Sequence, residues 1–375
     1  MIDWNSDESE ILINPRCTVE DQLQYKKILG STKYLSSHIW VSTSGSTSVK
    51  WVGLSKKAIL ASAQAVNFHL NSDSKDIWIH ALPNFHVGGL GIWARGYLSG
   101  SLVIDFKNQP SYKWHASDFY QYLIEKKGTL TALVPTQLHD LIQLGLKSPP
   151  ALRAVIIGGG SLGSDIYFKA IELGWKVLPS YGMTECASQV ATAELGSWEK
   201  NECPLYKVLK HVSVDQDPTG RLRFKGESLL SLYALCVNDK IELIDPKLDG
   251  WFVSEDRGSV EGTYLTVAGR FDHMIKIGGE SVELGKLEEL LQKIRRESLI
   301  EFDVTLVTPK DVRLGHSIHL VVTGSIKQGE IVMNQFNNRV LPFERIRATH
   351  CVSMIPRSSL GKVLKNDLEK ILKEF

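Results

Sequence analysis

The sequence predicts an α/β protein in three parts: a large N-terminal region of parallel-rich sheets, a small β-rich subdomain, and a small α+β C-terminal domain. Three observations predict it. Up to about residue 200, short apolar β-rich runs alternate with helical stretches, the pattern of parallel strands covered by helices. From about Leu205, short strands follow one another between Gly, Pro, Asp and Asn, which suits a smaller, mostly antiparallel sheet or barrel. Beyond Gly269, helix and strand patterns mix again and end in a basic, amphipathic tail helix. The expected divisions are 1–200, 201–271 and 272–375, with the main boundary between Arg270 and Asp272.

In chain order, 38–43 reads as a strand opening into a Ser/Gly/Thr loop, and 55–70 as a helix. Residues 76–82 and 101–105 are strands, and 89–98 and 116–126 helices. The strand 130–134 leads into Pro135, whose fixed φ suits the start of a helix over 137–144. A wholly apolar strand over 154–157 precedes Gly158, Gly159 and Gly160. A helix over 164–173 and a strand over 176–179 complete another repeat. Short strands follow at 212–214, 220–224, 251–254 and 264–267. The C-terminal part adds a helix over 284–296 and strands over 304–307 and 318–322.

A chain of 375 residues is long enough for two or three compact units. Its 43 basic and 42 acidic side chains leave a net charge of +1, so no strong field gathers nucleic acid or an anionic membrane. Cys17, Cys186, Cys203, Cys236 and Cys351 form no CxxC pair, and their odd number argues against a disulfide framework. Residues 1–10 are polar and acidic, unlike a secretory signal, and no apolar run approaches the ~20 residues of a membrane span. A cytoplasmic protein is expected, acting on small molecules rather than nucleic acid and without insertion into a membrane.

Four segments carry chemistry. The run from Val41 to Lys50 is a strand opening into small hydroxylated residues and Gly and ending in Lys. Such a loop can wrap a polyphosphate, its hydroxyls and backbone N–H groups donating to oxygen while the ammonium supplies charge. A second glycine before Lys and a following Ser or Thr are missing, so it is not a Walker A loop. The bland alternative is a Ser/Thr turn after an edge strand.

The segment Ser180-Tyr181-Gly182-Met183-Thr184-Glu185-Cys186 follows a strand end, where open α/β sheets bind ligands. Tyr181 offers a ring to a nucleobase, Thr184 a hydroxyl to phosphate, and Glu185 a carboxylate to Mg²⁺. The alternative is a turn with Tyr and Met in the core and Glu starting a helix. Further on, the run Gly250 to Gly258 carries Asp256, and Gly269-Arg270-Phe271-Asp272 follows. An Asp after a strand can accept ribose hydroxyls, with Arg as a further donor; a hairpin with a surface ion pair is the alternative. Last, Pro356-Arg357-Ser358-Ser359-Leu360-Gly361-Lys362 places a lysine on a turn, where it can meet developing negative charge or simply be solvated.

In this order the motifs resemble the adenylate-forming superfamily of acyl-CoA synthetases, luciferases and adenylation domains, over about nine-tenths of the chain. The resemblance implies roles residue by residue. Thr43, Ser44, Gly45, Ser46, Thr47 and Lys50 match the loop for the β- and γ-phosphates of ATP. Gly158, Gly159 and Gly160 match the turn beside the adenine and acyl pocket. Tyr181 matches the adenine-stacking ring, Thr184 the α-phosphate contact and Glu185 the Mg²⁺ ligand. Asp256 and Arg270 match the ribose contacts, Asp272 the hinge, and Lys362 the lysine of the adenylation step. Lys276, Gly278 and Gly279 match the loop presented to the pantetheine arm of coenzyme A.

Within the superfamily, the segments 82–90 and 133–138 and the glycine turn before Tyr181 resemble o-succinylbenzoyl-CoA synthetases of menaquinone biosynthesis. His86 and Arg95 are then the candidate substrate residues, Arg95 gripping a second carboxylate in a bidentate contact; its plain alternative is a surface or structural arginine. The resemblance implies two half-reactions: an acyl-adenylate with loss of pyrophosphate, then a thioester with loss of AMP. Two alternatives stay open: an enzyme that loads a carrier-protein thiol, and a nucleotide-binding relative that no longer turns over.

Three departures are visible. About forty residues precede the phosphate loop, where many relatives carry an extra subdomain. A compact variant is expected, or one whose acid pocket is completed by a second subunit in a homodimer. The loop is one residue short at Ser48-Val49-Lys50. Around 280–286 the usual Pro and acidic residue are replaced by Leu284 and Lys286.

Overall fold

The computed structural model describes residues 2–13, 27–28, 30–32, 35–44, 49–106, 114–198, 202–237, 240–270, 274–277, 280–311, 313–358, 361 and 363–373. The chain divides into two compact units. The first comprises Met1–Ser254 and Gly258–Thr266, the second Glu255–Arg257 and Val267–Phe375.

The first unit begins with β1 (Glu10–Leu12), β2 (His38–Ser44) and β3 (Val49–Ser55). Ser55 then caps helix α1 (Lys56–Leu70), its hydroxyl accepting from the Ala58 N–H at 3.0 Å. A parallel β/α series follows: β4 (Ile77–His80), α2 (Val87–Ser99), β5 (Leu102–Asp105), α3 (Ala116–Glu125), β6 (Leu130–Leu133), α4 (Pro135–Gln143), β7 (Ala154–Ile157), α5 (Ser164–Glu172) and β8 (Val177–Met183). Strands β6 and β7 are buried at every position, as strands covered on both faces are; β7 is wholly apolar, and the one polar side chain of β6, Thr131, donates its hydroxyl to the Ile79 carbonyl at 2.8 Å. On one face Ile79, Leu133, Val155 and Val177 pack against Phe119, Leu138 and Tyr167 of the helices.

Then come β9 (Ser188–Thr192), β10 (Tyr206–Val208), β11 (Val212–Gln216), β12 (Arg221–Gly226), β13 (Leu232–Val237), β14 (Lys240–Ile244), β15 (Phe252–Glu261) and β16 (Tyr264–Arg270). Among the described residues these strands close no barrel and make no sheet of their own. Most extend the parallel strands into one eleven-stranded sheet, ordered β11-β12-β15-β16-β10-β9-β8-β7-β6-β4-β5. The hairpin β13–β14 instead joins a second sheet, β1-β2-β3-β13-β14, over a small core of Trp40, Trp51 and Ala234.

The second unit carries β17 (Met274–Ile277), β18 (Glu280–Glu283), α6 (Leu284–Glu297), β19 (Val304–Val307), β20 (Lys310–Asp311), β21 (Gly315–His316), β22 (Ile318–Val322), α7 (Ile326–Asn337), β23 (Ile346–Cys351) and α8 (Lys365–Lys373). Leu291, Ile294, Leu306, Leu320 and Phe336 form its core around the sheet β19-β22-β23. Helix α7 was not expected: Gly329 interrupts its apolar pattern, and its start is set by the capping box of Ser325 and Gln328.

Candidate functional site

Parallel pairing of β8-β7-β6-β4-β5 puts the carboxyl ends of these strands along one edge, the usual ligand edge of an open α/β sheet. The expected glycine turn lies there. Gly159 has φ +78°, a left-handed conformation in which a side chain would be strained. A β-carbon on Gly158 would lie 3.5 Å from the Ser180 carbonyl, and one on Gly160 3.7 Å from Pro135. The turn therefore lies in ordinary contact distance of the start of α4 and of the strand that carries Tyr181. At the end of β4 the chain reaches His86, which begins α2 as its N-cap with its ring 4.6 Å from that of Phe85.

Tyr181 does not follow a strand end, as expected, but lies within β8. Parallel pairing with β7 stops at Pro179, and β9 folds back to pair antiparallel from Ser180 to Met183. Gly182 permits this, because a β-carbon there would collide with the Ser188 carbonyl. Tyr181 stands 6.3 Å from the Phe224 ring. Thr184, Glu185 and Cys186 then form a 3₁₀ turn, closed by the Ala187 N–H donating to the Thr184 carbonyl at 3.0 Å.

Within the Val41 to Lys50 run, Thr43 pairs with Lys50 and Ser44 with Val49, so these residues lie on strands. Gly45, Ser46 and Thr47 lie outside the described residues. Antiparallel pairing with β2 places Lys50 on β3 instead of in the expected loop.

Strand β13 pairs with β3, setting Tyr233 opposite Val52 and Leu235 opposite Lys50. Lys50 and Tyr233 are thus diagonal neighbours on one face, and the Lys50 ammonium lies 4.2 Å above the Tyr233 ring. The Tyr233 hydroxyl donates to Glu185 Oε1 at 2.9 Å, and the Leu230 N–H donates to the Glu185 carbonyl at 2.8 Å. Burial first, and the Glu185 charge second, push the Tyr233 phenol far above its ordinary pKa, so it stays a donor. A carboxylate is a hard oxygen donor of the kind Mg²⁺ takes. One such residue fits an ion whose other ligands arrive as phosphate oxygens and water.

Arg95, on α2, is not a surface residue: it is 2% exposed. Its guanidinium lies 5.3 Å from the Trp78 ring and beside Gly91, where a β-carbon would approach Nη2 to 3.2 Å. The same imagined carbon would lie 3.6 Å from the Ser188 hydroxyl. Nε and Nη1 are buried and have no hydrogen-bond partner among the described residues. Burial pulls the guanidinium pKa down to about 9.

Asp256 and Arg270 belong to the second unit and lie on strands β15 and β16 rather than on a turn, and they form the ion pair that the alternative reading expected. Asp256 Oδ1 and Arg270 Nη1 are 3.7 Å apart. Both strands run further than their apolar cores suggested, because mutual pairing carries them through polar sequence. Lys276 is on β17. Asp272, Gly278, Gly279 and Lys362 lie outside the described residues. Arg357 and Val363 form an isolated antiparallel bridge, and Arg357 donates to Asp303 at 2.7 and 2.8 Å.

Tyr233 and Trp78 were not singled out from the sequence. Each reads as an ordinary strand residue, and each meets its partner only through pairing or packing that local pattern does not encode.

A family model described as AMP-binding enzyme matches residues 39–233, more than half of the chain. The chain is 27% identical over 334 residues to the 2-succinylbenzoate–CoA ligase of Bacillus cytotoxicus, covering 84% of this chain and 66% of that protein. It is 30% identical over 297 residues to the enzyme of the same name from Salmonella typhimurium, covering 77% and 58%. The chain thus spans 66% of the first relative's length. Its fold matches o-succinylbenzoate CoA synthetase from Bacillus subtilis in complex with an acyl-adenylate intermediate, with TM-score 0.74 at 23% identity, over 88% of this chain and 68% of that one. A second structure of that enzyme, with ATP and magnesium ion, matches with TM-score 0.72 at 21% identity, over 88% and 69%. On the extent of the family match, the chain belongs to the family of AMP-binding enzymes.

Proposed function

We propose that this protein is an ATP-dependent acyl-CoA ligase acting on o-succinylbenzoate in menaquinone biosynthesis, with Mg²⁺ as cofactor and CoA as acceptor. The observation that carries the reading is the meeting of Lys50 and Glu185 on Tyr233. Two motifs far apart in sequence deliver a cation and a metal-binding anion to one ring. The relatives named 2-succinylbenzoate–CoA ligase support the choice of reaction.

In the first half-reaction a carboxylate oxygen bonds to the α-phosphorus of ATP and the bond to pyrophosphate breaks. Two anions must approach, so positioning and charge neutralisation dominate. Lys50, with Thr43, Ser44, Gly45, Ser46 and Thr47, binds the β- and γ-phosphates; Thr184 contacts the α-phosphate. Glu185 would hold Mg²⁺, which supplies positive charge to phosphate oxygens. Tyr181 and the turn Gly158–Gly160 face the adenine and acyl groups, and Asp256 and Arg270 take the ribose. Lys362 serves this step. In the second half-reaction the thiol sulfur bonds to the acyl carbon and the bond to AMP breaks, with Lys276, Gly278 and Gly279 serving CoA and Asp272 as the hinge.

Arg95 supports the choice of acid. A buried guanidinium with two unpartnered donors is costly until an anion meets it. The second carboxylate of o-succinylbenzoate supplies one, with His86 at the mouth of the same helix. A cytoplasmic location goes with this reading: none of the four described cysteines is in a disulfide, and no helix among the described residues is long and apolar enough to cross a membrane. Incubation with ATP, Mg²⁺, CoA and o-succinylbenzoate tests the reaction. The thioester and AMP accumulate together; AMP formation without CoA consumption would move the acceptor to a carrier-protein thiol.

A further inference from the structure

We infer that Tyr233 is the positioning residue that sets the metal-binding carboxylate and the phosphate-binding lysine for Mg²⁺–ATP. It holds Glu185 by its hydroxyl and Lys50 by its ring. The inference rests on the ligase reading for the roles of those two residues, and it assigns the tyrosine from geometry alone.

Tyr233 is 8% exposed, and its strand pairing fixes the ring on the Lys50 face of the sheet. A carboxylate on a 3₁₀ turn has rotamers to choose from. The 2.9 Å bond from the phenol ties one oxygen in place, so the other is presented in one direction. Lys50, at 4.2 Å over the ring face, is drawn by the aromatic quadrupole to a defined place instead of swinging through solvent on a flexible stem. The ammonium thus lies on the face of the ring and the carboxylate at its hydroxyl rim, both on one side chain.

Two variants separate the two holds. Tyr233→Phe removes the hydroxyl and keeps the ring; Tyr233→Leu removes both. Calorimetric titration with ATP over a range of Mg²⁺ concentrations is the primary readout, and thermal melting confirms folding. Tyr233→Phe should raise the Mg²⁺ concentration for half-maximal ATP binding about fivefold, more than it raises the Kd for metal-free ATP. Tyr233→Leu should raise both. A folded Tyr233→Phe protein with the wild-type Mg²⁺ requirement overturns the inference, because a merely structural tyrosine would lower the melting temperature alone. If Tyr233→Leu does not fold, Tyr233→Phe decides. Wild-type protein that binds Mg²⁺–ATP but releases no pyrophosphate with any acid would sink the ligase reading, and the binding data would still judge Tyr233.

Discussion

A guanidinium taken out of water without a partner loses several kcal/mol of hydration, and Arg95 is in that position on two of its nitrogens. Trp78 offsets part of this through its ring. Even at a pKa of about 9 the group is a cation near neutral pH. The account predicts that Arg95→Ala raises KM for a dicarboxylic acid at least thirtyfold, about 2 kcal/mol or more for a lost buried charge contact, and KM for ATP far less. Steady-state kinetics on both substrates checks this, and an unchanged KM for the acid rules the contact out. At this scale the roles proposed for Lys50 and Glu185 come from local motifs, whereas their meeting on one ring depends on strand pairing. The burial of Arg95 was not legible, because nothing around residue 95 announces the tryptophan on a neighbouring strand. Tyr233 was invisible for the same reason, its partners being 48 and 183 residues away.

At the amino ends of the parallel strands, opposite the site, one carboxylate ties three elements together. Asp76, just before β4, accepts from Thr129 Oγ1 at 2.7 Å and from Arg153 Nε and Nη2 at 2.7 and 2.8 Å. Thr129 and Arg153 immediately precede β6 and β7. Burial alone would raise the Asp76 pKa; the bonds from Arg153 and Thr129 outweigh it and leave it below the ordinary value. A carboxyl whose folded pKa is depressed stabilises the fold above its unfolded pKa of about 3.9, and that contribution is lost as pH falls toward the folded value. Asp76→Asn should therefore cost about 3 kcal/mol at neutral pH, in line with breaking a buried pair. The gap in melting temperature from wild type should narrow below about pH 4. A gap constant with pH would contradict the assignment. Most of these strands and helices were legible from apolar runs and period. The extensions of β8, β15 and β16 were not: residues such as Gly182 and Asp256 join strands because a neighbour pairs with them, not because of their own propensity.

The motifs divide between the two units: Lys50, Arg95, the glycine turn, Tyr181, Thr184 and Glu185 in the first, Asp256, Arg270, Lys276 and Lys362 in the second. How the strands after β9 are shared between two sheets was not readable, because it depends on pairing across long stretches of sequence. Assigning the two half-reactions to different residues of the second unit has a consequence. Lys362→Ala should lower adenylate formation at least a hundredfold, the scale of losing one charge-stabilising group, while thioester formation from supplied acyl-adenylate stays largely intact. Equal loss of both steps would contradict that assignment. The central claim is tested most directly by pyrophosphate release from ATP and Mg²⁺ with o-succinylbenzoate, with and without CoA. The account predicts release that depends on the acid and that needs CoA for sustained turnover; bound ATP with no pyrophosphate released in either condition would contradict it.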